Sequence, residues 1–181
     1  MCHTLASDEV ISGESGLFSG KDWMKNIFII VTVFEFVLIA HSIADTLTVG
    51  DDEPADYTSI QEAIDASSDG DVVFIYSGNY FEQYINPHGK RIQIKGEVSS
   101  DWSPLVTIDS QENGLVVVCN SGENGNTQFQ NLILKNGFNS LTGGGMVCMY
   151  SSPSLTNCVF VNNRANIAGG GLALMLNSSP V

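Results

Sequence analysis

Fifteen carboxylates and a single histidine follow Ala44 in this chain, and their types suggest two kinds of acid–base chemistry. Hydrolysis of a polysaccharide needs two carboxyl groups flanking the scissile bond, one to deliver a proton and one to meet the sugar or activate water. Elimination from a uronate needs carboxylates to hold calcium and a basic group to take a proton. Asp51, Asp52, Glu53, Asp69, Asp71, Asp101 and Asp109 are among these acids, and after Glu123 the only charges are Lys135 and Arg164. The C-terminal third therefore holds no acid–base pair. Asp51-Asp52-Glu53 offers oxygen ligands to calcium, yet its spacing follows no defined calcium loop and it reads as a solvated acidic loop. His88 stands between Pro87 and Gly89; it reads as a turn residue, and without Cys or acidic neighbours at ligand spacing it is a poor metal site. No Gly-x-Ser-x-Gly elbow accompanies the many Ser and Thr. These residues assign no catalytic group, no cofactor and no metal.

Seven Lys and Arg against 20 Asp and Glu give a formal charge of −13. A surface of that sign repels nucleic acid and anionic membranes, so neither is an expected partner. Met24-Lys25, an apolar run from Ile27 to Ala40 and the small residues Ser42-Ile43-Ala44 form the three parts of a secretory signal, with cleavage after Ala44. The run is short for a membrane span and Glu35 interrupts it. Residues 1–23 thus read as an upstream extension foreign to the natural product, 24–44 as the signal peptide, and 45–181 as a secreted or surface domain without a membrane span. Cys119, Cys148 and Cys158 remain after cleavage, an odd number that defines no disulfide framework. Cys158 reads as a small core residue, and a Cys148–Cys158 bridge stays open. Asn177-Ser178-Ser179 fits a glycosylation acceptor, relevant only in a host that uses it.

The elements that must position these groups are short. Thr46 to Val49 alternates as a strand and runs into the acidic loop. Thr58-Ser59-Ile60-Gln61 places a capping hydroxyl three residues before a Gln, and Ile60, Ala63 and Ile64 share one face, which predicts a short amphipathic helix. Strands are predicted at Val72 to Tyr76, Arg91 to Lys95, Val106 to Ile108, Leu115 to Val118 and Phe129 to Leu134, with Gly, Asn, Asp or Ser in nearly every gap.

A repeat decides how such strands combine. Asn131-Leu132-Ile133-Leu134-Lys135-Asn136 leads to Gly143-Gly144-Gly145, and twenty-six residues later Asn157-Cys158-Val159-Phe160-Val161-Asn162 leads to Gly169-Gly170-Gly171. Equal spacing without two-residue hairpin signals argues against an antiparallel sandwich and for a solenoid of stacked coils. Asn131 then lies beneath Asn157 and Asn136 beneath Asn162, where stacked amides bond along a ladder and tolerate left-handed backbone. The glycine triplets serve a turn in which side chains on successive coils would collide. By the period of two, Leu132, Leu134, Cys158 and Phe160 point inward, and Ile133, Lys135, Val159 and Val161 outward. A solenoid needs a polar cap, and Gly169 to Val181 amounts to half a coil, so the chain reads as the N-terminal part of a longer array.

Tyr57-Thr58-Ser59-Ile60-Gln61-Glu62-Ala63-Ile64, Asp69-Gly70-Asp71-Val72-Val73 and Gly78-Asn79-Tyr80-Phe81-Glu82, followed by Ser154-Leu155-Thr156-Asn157-Cys158-Val159-Phe160 before the glycines, resemble the secreted right-handed parallel β-helix proteins of the pectin-lyase-like superfamily. Phe160-Val161-Asn162-Asn163 is also similar to the repeats of chlamydial polymorphic outer-membrane proteins. The resemblance implies an all-β fold, a right-handed parallel β-helix with a short N-terminal capping helix, over 45–181. Gly-x-Tyr-x-Glu also opens the pectin methylesterases, but the later motifs that carry their chemistry are missing here. Gly78, Tyr80 and Glu82 read instead as a turn glycine, a packed aromatic and an exposed carboxylate. The expected function is a non-catalytic exported scaffold that binds polysaccharide or other cell-surface components along its side; the alternatives are the N-terminal part of a polysaccharide-active enzyme and an autotransporter-like passenger.

Overall fold

The computed structural model describes residues 44–51, 54–167 and 169–181. The expected signal peptide up to Ile43, the residues before it, and Asp52 and Glu53 lie outside the described residues. The elements are β1 (Thr46–Val49), α1 (Ile60–Ala66), β2 (Val72–Ile75), β3 (Gly78–Tyr80), β4 (Gln93–Gly96), β5 (Val106–Asp109), β6 (Val117–Cys119), β7 (Gln128–Gln130), β8 (Leu132–Lys135), β9 (Phe138–Asn139), β10 (Met146–Met149), β11 (Ser154–Thr156), β12 (Val159–Val161), β13 (Arg164–Ala165) and β14 (Leu172–Met175). Every pairing between these strands is parallel, and from β2 onward strands adjacent in sequence lie in different sheets. The first sheet runs β1-β2-β4-β7-β11, the second β3-β5-β8-β12, the third β6-β10-β14, and β9 pairs with β13. The chain is a parallel β-solenoid of about five turns, with α1 as the single helix among the described residues.

The repeat sets the register of the last two coils. Asn157 donates to Asn131 across 26 residues at 3.0 Å, and Asn131 passes the bond on to the Gly96 carbonyl at 3.2 Å. Both amides sit in the left-handed region, at φ 52° and 58°, so Asn131 also divides what reads as one strand from Phe129 to Leu134 into β7 and β8. Asn136 and Asn162 adopt the same conformation, but the Asn136 amide donates to Asp109, 2.9 Å from each carboxylate oxygen, in the preceding coil, where Asp109 is the register partner of the neighbouring Lys135. Gly143 and Gly169 have φ of +68° and +64°, whereas a Cβ on Gly145 would meet the Gly171 carbonyl oxygen at 2.5 Å. Two physical causes thus share one triplet. Leu132 and Leu134 are fully buried and Cys158 and Phe160 pack against the core, while Val159 is 42% exposed; the faces are as their alternation predicts. In the first sheet Leu47, Val73, Ile94, Phe129 and Leu155 stack in register through all five strands.

The N-terminal helix is held by residues from the next coil along the chain. Its cap is Ser59, one residue later than the Thr58 pattern suggests; the hydroxyl accepts from the Glu62 N–H. Gln61, freed from a capping role, exchanges bonds with the Asn86 backbone at 2.8 and 3.1 Å. Glu82 corrects the expectation of an exposed carboxylate. It is half-buried and accepts from the Ser59 hydroxyl and from the Ile60 and Gln61 N–H groups at 2.7–3.1 Å. At the other end the Lys90 ammonium donates to the carbonyls of Ile64, Asp65 and Ser67 at 2.7–2.9 Å. A carboxylate at the helix N-terminus and a cation at its C-terminus satisfy end groups that a seven-residue helix leaves open, with the favourable sign for its dipole. Gly78 is likewise no left-handed turn residue: it opens β3, and its missing Cβ faces the Tyr80 ring at 3.5 Å. Cys148 and Cys158 do not pair. All three cysteines are free, Cys158 bonding the Phe129 carbonyl at 3.4 Å, and the register partner of Cys148 is Cys119 in β6.

Candidate functional site

The carboxylates singled out by sequence are mostly committed to backbone. Asp71 accepts from Asp45 and Ser68 N–H groups at 3.0 and 2.7 Å, and Asp69 from the Arg91 N–H at 2.9 Å. Asp101 takes the Ser99 hydroxyl and the Ser103 N–H, which together hold its carboxyl below the ordinary value. His88 occupies a turn at φ 56°, its ring 3.6 Å from an Asp65 oxygen. No three His, Cys, Asp or Glu side chains among the described residues gather to hold a metal. Glu123, the last acid in the chain, is 2% exposed. It accepts from Gly89 N–H at 2.9 Å, Ser121 N–H at 2.9 Å and the Ser151 hydroxyl at 2.7 Å, and so ties three successive coils together. No sequence pattern points to that role.

Asp109 has a response to pH set by its own neighbours. Burial pushes its carboxyl up, but the Gln111 N–H, the Asn136 amide and Lys135, at 3.4 Å, outweigh that and hold it below its ordinary 3.8. A depressed folded value means that the stabilisation is complete above the unfolded value and is lost as pH falls through the folded one. Asp109→Asn should therefore be less stable than the parent near neutrality and lose less further stability between about pH 4 and pH 2. Acid-unfolding curves that run parallel for the two proteins would remove Asp109 from this role.

One set of open groups lies at the corner between the first and second sheets. After β2, β7 and β11, three of the five strands of the first sheet, the chain turns there within one or two residues. After β4 it departs for nine residues before β5. That loop closes on itself: Val98 and Pro104 form an antiparallel bridge, and Ser99 and Trp102 are joined by backbone bonds of 3.0 Å to Ser103 and Ser99. Its tip presents Trp102, 75% exposed and at φ 66°. The tip leans along the solenoid axis, since the Asn157 amide donates to the Trp102 carbonyl at 2.9 Å and to Asn131 at 3.0 Å. A large aromatic in the left-handed region is costly, and it persists here because several bonds determine it.

Beside the base of this loop lies a cleft of about 590 Å³ lined by Asp51, Tyr76, Ser77, Asn79, Tyr80 and Glu97. Glu97 accepts from the Ser77 N–H at 2.8 Å. The Tyr80 hydroxyl donates to the carbonyl of Tyr76 at 2.9 Å and reaches that of Val49 at 3.3 Å. Burial, then the charges of Asp51, Glu82 and Glu97, push its pKa up to about 12. Glu97 and Trp102 are the residues that sequence reasoning missed; the only signal was the nine-residue break in the strand rhythm. The cleft wall of carboxylates, phenols and an amide, with the exposed indole on the loop that starts at Glu97, suits hydroxyl-rich ligands, which offer apolar faces to rings and O–H donors to carboxylates.

No protein-family model, curated protein or solved structure matches this chain. No helix among the described residues is long and apolar enough to cross a membrane, which says nothing of strands.

Proposed function

We propose that this protein is an exported, non-catalytic β-solenoid scaffold that binds glycans along the corner between its first two sheets, as its likeness to the pectin-lyase-like β-helix proteins also suggests. The observation that carries the reading is Trp102, held exposed by a self-bonded loop beside the Asp51/Glu97 cleft. Coils stacked about 4.8 Å apart place Asp51, Tyr76, Glu97 and the Asn131–Asn157 ladder on one line of about 19 Å, long enough for several sugar rings. Export from the cell rests on the sequence of residues 24–44. A second reading, the N-terminal part of a polysaccharide-active enzyme, draws on the presence of two carboxylates, Asp51 and Glu97, in that cleft.

Trp102→Ala tests the proposal. The ring is exposed, so its loss should change stability by no more than about 0.5 kcal/mol. Affinity for the oligosaccharides that bind should fall about tenfold, as expected for a ring contact of this kind. Affinity electrophoresis and calorimetry with soluble β-glucan, chitin oligosaccharides and oligogalacturonate measure it. Unchanged affinity in the variant would sink the Trp102 site, and turnover of any of these polymers that Glu97→Gln abolishes would put the enzyme reading in its place.

A further inference from the structure

The corner cleft has a sign as well as a shape. Asp51 and Glu97 both line it, on either side of the coil that carries Tyr76 and Ser77, and among the described residues no Lys, Arg or His does. Lys95, the nearest cation along β4, stands on the outer face of the first sheet in register with Phe74 and does not line the cleft. Glu97 is anchored by the Ser77 N–H, so its charge is fixed in place. The field is felt by a group that does not share their hydrogen bonds: Asp51, Glu82 and Glu97 all add to the upward shift of Tyr80. Two phenols form part of the walls, and Tyr76 is braced edge-on against Phe74 at 5.4 Å between ring centres. An ammonium group beside an aromatic face and between carboxylates gains from both.

We infer that the cleft selects sugars bearing a free amine, such as 2-amino-2-deoxyhexose units, over neutral N-acetylated sugars and over uronates. The inference rests on the glycan-binding reading and adds the ligand class. A uronate would bring a third negative charge between Asp51 and Glu97 and would be repelled. An N-acetyl group would keep the ring contacts and lose the charge pairing. Because the cleft is open to water, the gain from the amine is modest, about fivefold in affinity, and is screened by salt.

Three oligomers of equal length, of glucosamine, N-acetylglucosamine and galacturonic acid, titrated calorimetrically into the intact chain at low and at moderate salt, provide the test. The glucosamine oligomer should bind about fivefold tighter than the acetylated one at low salt, with galacturonate weakest. Glu97→Gln keeps an oxygen for the Ser77 N–H and should bring the first two affinities together, as should Asp51→Asn, whereas Trp102→Ala should weaken all three alike. Equal binding of the amine and its acetylated form, or a preference that survives both carboxylate variants, would overturn the inference and leave glycan binding standing. Failure of all three to bind, with the chain folded by circular dichroism, would overturn both.

Discussion

Replacing Glu123 by alanine should cost about 3–5 kcal/mol, because it takes the acceptor from one buried and two part-buried donors, at roughly 1–3 kcal/mol each less whatever water recovers. Gly89, Ser121 and Ser151 belong to three consecutive coils, so the loss should be felt across coil boundaries, while the backbone bond from Ser152 N–H to the carbonyl of residue 123, 2.7 Å, stays. For a domain of this size such a loss corresponds to a fall in Tm of about 10–20 °C. Glu123→Gln should fall between the parent and the alanine variant: one oxygen still accepts, while the new amide hydrogens face donors. Thermal and urea unfolding followed by circular dichroism measure both. An alanine variant that melts with the parent would show that water replaces the carboxylate and that Glu123 is no clamp.

Leu134→Asp and Ile133→Asp are adjacent changes with very different expected costs. Leu134 is fully buried in β8 and stacks between Ile108 and Phe160 in register. Truncating a buried leucine costs about 2–5 kcal/mol, and an unpaired buried carboxylate adds to this, which exceeds the stability of many domains. Ile133 faces outward between Thr107 and Val159, where aspartate loses strand propensity and cross-strand contact worth about 1 kcal/mol. Soluble yield and melting temperature of the two variants should separate widely. Comparable losses would mean that the faces of the second sheet are misassigned.

The repeating coils were legible in sequence because a solenoid with a constant step places each residue over its own equivalent. In that arrangement the neighbour of Asn157 is another Asn, that of Phe160 is Leu134, and that of one glycine triplet is another. Local rules therefore carried the tertiary answer: alternation named the faces, left-handed tolerance named the Asn corners, and the absence of Cβ named the Gly turn. The N-terminal helix was also visible, its buried face of Ile60, Ala63 and Ile64 following from the helical period.

Other features depended on coils that do not repeat. Val72 faces Gln93 and Gln93 faces Gln128, steps of unequal length, and no spacing in the sequence says which residues such coils bring together. Glu82 under α1, Lys90 at its end, Glu123 across three coils and Cys119 opposite Cys148 are all contacts of this kind. The Trp102 loop is a departure from the repeat, and its direction is decided by a hydrogen bond to Asn157, 55 residues away. Sequence by itself determined the stacked architecture and its faces, since those follow from periodicity and backbone conformation residue by residue. Only the tertiary structure decided which carboxylates are buried clamps and which line the open cleft, because burial and charge pairing belong to neighbours that the irregular coils choose.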